Sequence, residues 1–132
     1  MTIAARGVGM KIRESEEMYL ETILLLKSRM TFVRSVDIAE ELGYSRASVS
    51  RAVGLLSKKE YIEINKRGEI ILTEAGEARA QEIYQRHELI TDLLIELGAD
   101  TDMAEDNACR IEHVITPDLF ELLKKRKTKR LE

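Results

Sequence analysis

Two short amphipathic helix patterns separated by Gly43 constrain the fold of this chain more than any other feature of its sequence. Ser35 is suited to cap a helix over residues 36–42, Gly43 to end it, and Ser45 to cap the next helix, over residues 46 to about 60. Apolar side chains recur at helical spacing through both segments: Ile38, Ala39, Leu42, Val49, Val53 and Leu56. Two helices joined this tightly predict a helix-turn-helix.

Two short strand patterns follow directly. Residues 61–64 and 69–72 are rich in apolar side chains, and the asparagine and glycine of the intervening Asn65-Lys66-Arg67-Gly68 suit a tight hairpin turn. A hairpin placed immediately after a helix-turn-helix predicts the wing of a winged helix. We therefore expect residues 1–73 to form an N-terminal winged helix-turn-helix domain.

The remainder of the chain favours helices. Thr73 is suited to cap a long helix that reaches Leu97 and ends at Gly98. A second helix is expected over residues 103–115, and a third begins with Thr116 as its cap and Pro117 at its first position. The predicted fold class is mainly α, with a small β-hairpin wing in the first domain and an all-helical second domain over residues 74–132.

The apolar surface of the helical domain exceeds what so short a segment can bury alone. We therefore expect a homodimer that buries this surface. Its two winged helices would bind DNA half-sites related by a two-fold axis. The side chains expected at the dimer interface are Leu93, Leu94, Leu97, Leu119 and Phe120.

The net charge of −3 is divided unevenly along the chain. Residues 44–67 carry six basic and two acidic side chains, residues 68–123 carry three basic and fourteen acidic ones, and residues 124–132 carry six basic and one acidic. Such blocks are equally typical of solvated helix faces. Because the first basic block coincides with the helix-turn-helix, we expect a double-stranded DNA partner.

The expected DNA contacts lie at the start of the second helix of the motif and at the tip of the wing. The helix offers small or hydrogen-bonding side chains and no acidic group, which suits close approach to base edges and phosphates. The candidate residues are Ser45, Arg46, Ala47, Ser48, Ser50, Arg51, Lys66 and Arg67.

Composition limits the class of protein. A chain of 132 residues with 44% hydrophobic content can bury one core, and its single cysteine excludes an intramolecular disulfide and fits a reducing compartment. No apolar stretch approaches the roughly 18 residues that span a bilayer, and residues 1–13 lack the hydrophobic core of a secretion signal. We expect a cytoplasmic protein with no membrane association.

Three metal-capable side chains lie at positions i, i+3 and i+4 in one segment: Cys109, Glu112 and His113. On a helix this spacing places them on one face. A thiolate, a carboxylate and an imidazole suit a late first-row divalent ion better than magnesium or calcium. Met18 and Glu21, also at i and i+3, form a second candidate set, and a metal that joined both sets would tie the two ends of the chain together.

Five segments of the sequence resemble the metal-dependent repressors typified by the diphtheria toxin repressor and the manganese transport regulator. They are Glu17-Met-Tyr-Leu-Glu21, Val36-Asp-Ile-Ala-Glu40, Leu72-Thr-Glu-Ala-Gly76, Arg86-His-Glu-Leu89 and Asn107-Ala-Cys-Arg-Ile-Glu-His113. The resemblance covers residues 15–123 and implies a short form without the SH3-like domain. It implies a winged helix joined to a helical dimerisation domain and a divalent metal that favours operator binding. Separately, the sequence shows no catalytic arrangement, and we expect no enzyme activity.

The resemblance also assigns metal ligands. It places Met18, Cys109, Glu112 and His113 at an iron-type primary site, while Glu21 and His87 match ligands of the manganese branch. Glu105 stands where an ancillary site has histidine, and Thr91 replaces a glutamate there. A thioether and a thiolate favour Fe(II), for which Co(II), Ni(II) or Zn(II) can substitute, whereas the manganese branch has carboxylates at these two positions. Mn(II) is the alternative.

Two other interpretations compete with a metal-dependent repressor. An enzyme built on a Cys109/His113 dyad would need a third positioned group and a substrate cleft, and the sequence indicates neither. A winged-helix regulator without metal could use Cys109 as a redox sensor. Taken singly, Met18, Cys109 and the two histidines are also typical of core packing. Metal-dependent DNA retention distinguishes these interpretations.

Overall fold

The computed structural model describes the backbone of residues 12–131 and the side chains of residues 14–127. Residues 1–11, for which no secretion signal was expected, lie outside the described part, as do the side chains at the end of the basic C-terminal block. In chain order, the described elements are α1 (Ile12–Arg29), α2 (Ser35–Leu42), α3 (Arg46–Lys58), β1 (Ile62–Ile64), β2 (Ile70–Leu72), α4 (Glu74–Glu96), α5 (Thr101–Val114) and α6 (Pro117–Leu131). This order confirms the mainly helical class with a winged helix-turn-helix at its start.

The chain divides into two compact units, one ending at Gln81 and the other beginning at Glu82. The division falls within α4. The sequence-based boundary between residues 73 and 74 stays a prediction. In the described part of the chain, no helix combines the length and the apolar character that a bilayer crossing requires.

The turn between α2 and α3 follows the sequence prediction at its centre. Gly43 adopts a left-handed conformation with φ of 70°, and the Ser45 side chain accepts a hydrogen bond from the Ser48 amide at 3.1 Å. The prediction that Ser35 caps α2 is wrong, because the cap position is Arg34. The Asp37 carboxylate accepts a hydrogen bond from the Arg34 amide at 2.8 Å, and this charged acceptor starts the helix one residue earlier.

The wing is an antiparallel hairpin in which Ile62 pairs with Leu72 and Ile64 with Ile70. Each strand is one residue shorter than predicted. The Asn65 side-chain oxygen accepts hydrogen bonds from the Arg67 and Glu69 amides, both at 2.9 Å. Gly68 has φ of 80°, a conformation that L side chains avoid, so the asparagine and the glycine both have the turn roles that the sequence indicated.

The core of the first unit is formed by apolar side chains of α1, α2, α3, the hairpin and the connection between α1 and α2. Its most deeply buried members include Leu20, Ile23, Val33, Ile38, Val49, Leu56, Ile62 and Ile70. Each large aliphatic side chain buried here stabilises the fold by about 1.5–3 kcal/mol. A Cβ built on Gly76 would overlap the Tyr61 carbonyl oxygen, so the start of α4 packs against the base of the wing only because residue 76 is glycine.

The second unit has its own core, centred on Ile90, Ala108 and Ile115. Leu94 and Phe120, two of the residues predicted at a dimer interface, pack against this core from the same unit. Leu97, by contrast, is 84% exposed, and Leu119 is 49% exposed. The dimer interface stays a prediction. Of its predicted residues, the exposed Leu97 and Leu119 are the best placed to contact a partner protomer.

The ends of the helices in the second unit have identifiable causes. Gly98, with φ of 111°, follows the end of α4. Asp100 accepts a hydrogen bond from the Met103 amide at 2.8 Å and starts α5 two residues earlier than predicted. Thr116 accepts one from the Leu119 amide at 3.3 Å, as expected of the α6 cap.

Candidate metal centre and nucleic-acid interface

One face of α5 carries the densest group of metal-capable side chains in the second unit. The ligand atoms of Cys109, Glu112 and His113 lie within 4.8 Å of one another. Glu112 is fully buried and His113 nearly so, whereas Cys109 is exposed, which argues against the interpretation of Cys109 as an ordinary core cysteine. The helical spacing that the sequence indicated therefore produces a compact set of sulfur, oxygen and nitrogen donors.

The Glu112 carboxylate lies between two imidazoles. Its Oε2 is 2.8 Å from His87 Nδ1 on α4, and its Oε1 is 3.3 Å from His113 Nε2. The Tyr84 ring stacks on the His87 ring with centroids 6.3 Å apart and planes 15° apart, which fixes the orientation of that imidazole. A buried carboxylate needs compensating positive charge, and a divalent cation supplies it. The donor set fits a metal ion.

The other candidate ligands have different surroundings. Glu21 is buried on α1 in the first unit. Met18 is half-buried on the same helix, and its Sδ accepts a hydrogen bond from the Tyr44 hydroxyl at 3.7 Å. Glu105 is exposed on α5, and the metal-capable groups of the described residues do not include it.

An ion pair next to Met18 was missed by the sequence analysis. The Glu17 carboxylate is 1% exposed and accepts a hydrogen bond from Arg79 Nη2 at 2.9 Å. The sequence does contain an indication of this pair, because Glu17 stands three residues before the buried Leu20 and so lies on the same helix face. A charged side chain on a buried face implies a partner, although helical periodicity does not identify which one.

The start of α3 and the turn of the wing present the side chains predicted to meet DNA. Among them only Ser48 is half-buried; the others are exposed. Arg51 Nη2 lies 3.5 Å from Ser48 Oγ, so the guanidinium extends along the first turns of α3. No acidic residue occurs in the first turn of this helix. The surface can therefore approach an anion without like-charge repulsion from α3.

A groove of about 790 Å³ lies between the start of α2, α3 and the wing. Its lining includes the guanidinium-bearing side chains of Arg34, Arg46 and Arg67 together with Ser35 and Ser50. Two acidic residues also line it, and one of them, Asp37, is engaged by the Arg34 amide. Arg34 was not among the candidate DNA-binding residues, because it precedes the basic block in sequence. The three guanidinium groups give the groove the positive charge that suits contact with a phosphodiester backbone.

Two protein domain families match consecutive parts of the chain. The N-terminal DNA binding domain of the iron dependent repressors matches residues 11–70, and their metal binding and dimerisation domain matches residues 73–128. The HTH-type transcriptional regulator MntR of Bacillus pumilus is 35% identical over 99 residues, which are 75% of this chain and 69% of that protein. An uncharacterized HTH-type transcriptional regulator of Methanocaldococcus jannaschii is 31% identical over 113 residues, 84% of this chain and 90% of that protein.

Solved structures show the same relationship. IdeR of T. acidophilum superposes with a TM-score of 0.75 and 26% identity over 85% of this chain. The manganese regulator SloR superposes with a TM-score of 0.73 and 28% identity over 86% of this chain. In both cases the chain spans about half of the solved protein, 53% of its length.

The relatives are transcriptional regulators, and the matched segments include both the winged helix and the helix that carries Cys109, Glu112 and His113. The chain thus belongs to the iron-dependent repressor family of metal-dependent, DNA-binding transcriptional regulators.

Proposed function

We propose that this chain is a cytoplasmic repressor whose homodimer binds a two-fold DNA operator when a divalent metal, Fe(II) in the first place, occupies the Cys109, Glu112 and His113 site. The observation that carries the proposal is the buried Glu112 carboxylate between His87 and His113 on the helix that bears the thiol. A carboxylate, two imidazoles and a thiol grouped in this way offer oxygen, nitrogen and sulfur donors to one divalent ion.

Cys109, Glu112 and His113 would hold the metal directly, and His87 would either join them or orient Glu112 through its hydrogen bond. Met18 and Glu21 are proposed as the remaining ligands, from their match to family positions and their common face on α1. The metal would supply positive charge to this donor set. The protein's own contribution is to keep the carboxylate buried and the imidazoles oriented.

The choice between iron and manganese rests on ligand softness. The thiolate of Cys109 and the thioether of Met18 favour Fe(II) and later ions, while Glu21 and Glu112 offer the hard oxygens that Mn(II) prefers. The family consists of iron dependent repressors, and the structurally similar SloR is a manganese regulator. We propose Fe(II) as the effector because two soft ligands at one site outweigh carboxylates that either ion accepts.

Metal and DNA would be coupled through the arrangement of the winged helices. A dimer that reads two half-sites needs them at one separation, and an ensemble in which only part of the molecules has that separation binds less tightly. A metal that fixes the separation raises DNA affinity, and DNA raises metal affinity by the same factor.

The test begins with selection of an operator from random double-stranded DNA by the metal-loaded protein under anaerobic conditions. Binding is then measured with Fe(II), Mn(II), Co(II), Ni(II), Zn(II) and a chelator, for the native protein and for Cys109→Ser. We expect Fe(II) to raise affinity at least about tenfold and Cys109→Ser to remove most of that gain. Equal affinity with chelator and with every metal would overturn the proposal.

Two further measurements separate the alternatives. A change in the DNA affinity of chelated protein on thiol oxidation supports the redox-sensor interpretation instead. Sedimentation with and without metal should show a dimer in both states, and Leu97→Asp should dissociate it, because a charge at an apolar interface loses its hydration. A monomeric native protein would contradict the two-fold arrangement.

A further inference from the structure

A tyrosine in the helix-turn-helix turn touches the sulfur that we propose as a metal ligand. Tyr44 stands between Gly43, which ends α2, and Ser45, which caps α3. Its backbone amide donates to the Ala39 carbonyl oxygen at 3.2 Å, and its hydroxyl donates to Met18 Sδ at 3.7 Å. One residue thus connects the turn before α3 with the helix that carries Met18.

The ring of Tyr44 is held at the same place. It packs edge-on against the Tyr19 ring, with centroids 6.3 Å apart and an interplanar angle of 65°. Tyr19 is 4% exposed and follows Met18 on α1, whereas Tyr44 is 42% exposed. Burial and then the neighbouring Tyr44 raise the pKa of Tyr19, while the Arg51 guanidinium opposes them, so the DNA-facing Arg51 also lies near these rings.

The Tyr44 hydroxyl and a metal ion would compete for the electron density of the Met18 thioether sulfur. A thioether is a weak hydrogen-bond acceptor, and donation of a sulfur lone pair to a cation leaves less electron density for the hydrogen bond. A metal at Met18 Sδ therefore weakens the contact with Tyr44. Conversely, the Tyr44 hydroxyl lowers the affinity of this sulfur for a metal, as reciprocity requires.

We propose that Tyr44 is a positioning residue that couples occupancy of Met18 to the helix-turn-helix turn. Without metal its hydroxyl holds the turn to α1, and with metal at Met18 the turn is released to the conformation that binds DNA. This inference rests on the proposed function and extends it, since it names the contact through which the ligand on α1 acts on α3.

The first test uses the full chain with carbon-13 in its methionine methyl groups, Zn(II) as a diamagnetic probe, and the variants Tyr44→Phe and Tyr61→Phe. Tyr61→Phe is the matched control, because it removes a phenol hydroxyl from the same unit beyond the other end of α3. In the metal-free protein, Tyr44→Phe should shift the Met18 methyl resonance and leave those of Met30 and Met103 in place. An unshifted Met18 resonance overturns the inference.

The second test measures affinity for the selected operator. Tyr44→Phe should raise the affinity of the metal-free protein about two- to five-fold, because a neutral hydrogen bond to sulfur lies at the low end of hydrogen-bond strengths. It should leave the Zn(II)-loaded affinity within about twofold and tighten Zn(II) binding without DNA by the same two- to five-fold. In a Met18→Leu background, Tyr44→Phe should have no further effect.

The outcomes separate the two proposals. If Zn(II) leaves the Met18 resonance unchanged and neither Zn(II) nor Fe(II) changes the DNA affinity of the native protein, the proposed function fails and the role of Tyr44 fails with it. If the native protein responds to Zn(II) while Tyr44→Phe matches it in both metal states, the role of Tyr44 alone is refuted. A Tyr61→Phe effect equal to that of Tyr44→Phe also refutes it.

Discussion

His87 Nδ1 lies 2.8 Å from Glu112 Oε2, so a histidine on α4 holds the one fully buried carboxylate of the candidate metal set on α5. The contact fixes the direction of the carboxylate and leaves Oε1 on the side of His113. Carboxylates that bind metals in proteins are themselves held by hydrogen bonds from surrounding groups, and His87 supplies such a bond here. Glu112 is accordingly the residue on which metal affinity should depend most strongly.

Glu112→Gln should lower metal affinity more than about 100-fold, since loss of a ligand exceeds the usual cost of losing a group that orients one. The same variant should retain the fold of the metal-free protein, because an amide of equal size removes a buried charge. Competition titration of Co(II) against a chelator measures the affinity, and thermal unfolding in chelator measures the stability. Asp106→Asn, an exposed carboxylate-to-amide change on the same helix, is the control and should bind Co(II) normally.

The Glu17–Arg79 pair should stabilise the first unit. Arg79→Ala removes the guanidinium that donates to the Glu17 carboxylate, which is 1% exposed, and loss of one partner from a buried pair costs about 3–5 kcal/mol. Because Arg79 itself is about a third exposed, we expect the lower end, about 3 kcal/mol, in urea unfolding of metal-free protein. Lys59→Ala, which removes a more exposed partner of Glu16, should cost less than about 1 kcal/mol. Equal losses in both variants would contradict this assignment.

The α3 and wing residues should divide into two classes by their response to salt and sequence. Arg51→Ala should cost about 1–3 kcal/mol of operator affinity and change affinity for random DNA less. Lys66→Ala and Arg34→Ala should weaken binding to both DNAs and lower the salt slope by about 0.9 for each phosphate that the variant no longer neutralises. Titrations at several salt concentrations test this, with Lys58→Ala at the other end of α3 as control. An unchanged salt slope in Arg34→Ala would exclude the groove as a phosphate site.

Cys109→Glu combined with Met18→Asp should move the response from Fe(II) toward Mn(II), since both changes replace soft sulfur by hard oxygen. Operator binding under anaerobic conditions, with each metal added to native protein and to the double variant, measures the order of effectiveness. Retention of the same order in both proteins, with Mn(II) first, would refute the softness argument.

Local chemistry was sufficient to predict much of this molecule from its sequence. The predicted helices are capped by side-chain oxygens that accept hydrogen bonds from amides three residues ahead, at Ser45, Thr73 and Thr116. The turn with Asn65 and Gly68 also forms as expected. The compact set on α5 follows from helical spacing alone. These features depend on residues within about one turn of each other, so periodicity and capping rules are enough to find them.

The contacts that give these elements a mechanism join residues far apart in the chain. Tyr44 and Met18 are separated by 26 positions, His87 and Glu112 by 25, and Glu17 and Arg79 by 62. Periodicity identifies which face of a helix is buried, but packing of distant elements decides which side chain meets that face. For the same reason Arg34 was not predicted to bind DNA. Arg67 and Arg46 reach the groove lined by Arg34 only when the wing and α3 have folded. The sequence alone determined the helices and the donor types, and tertiary packing decided their partners.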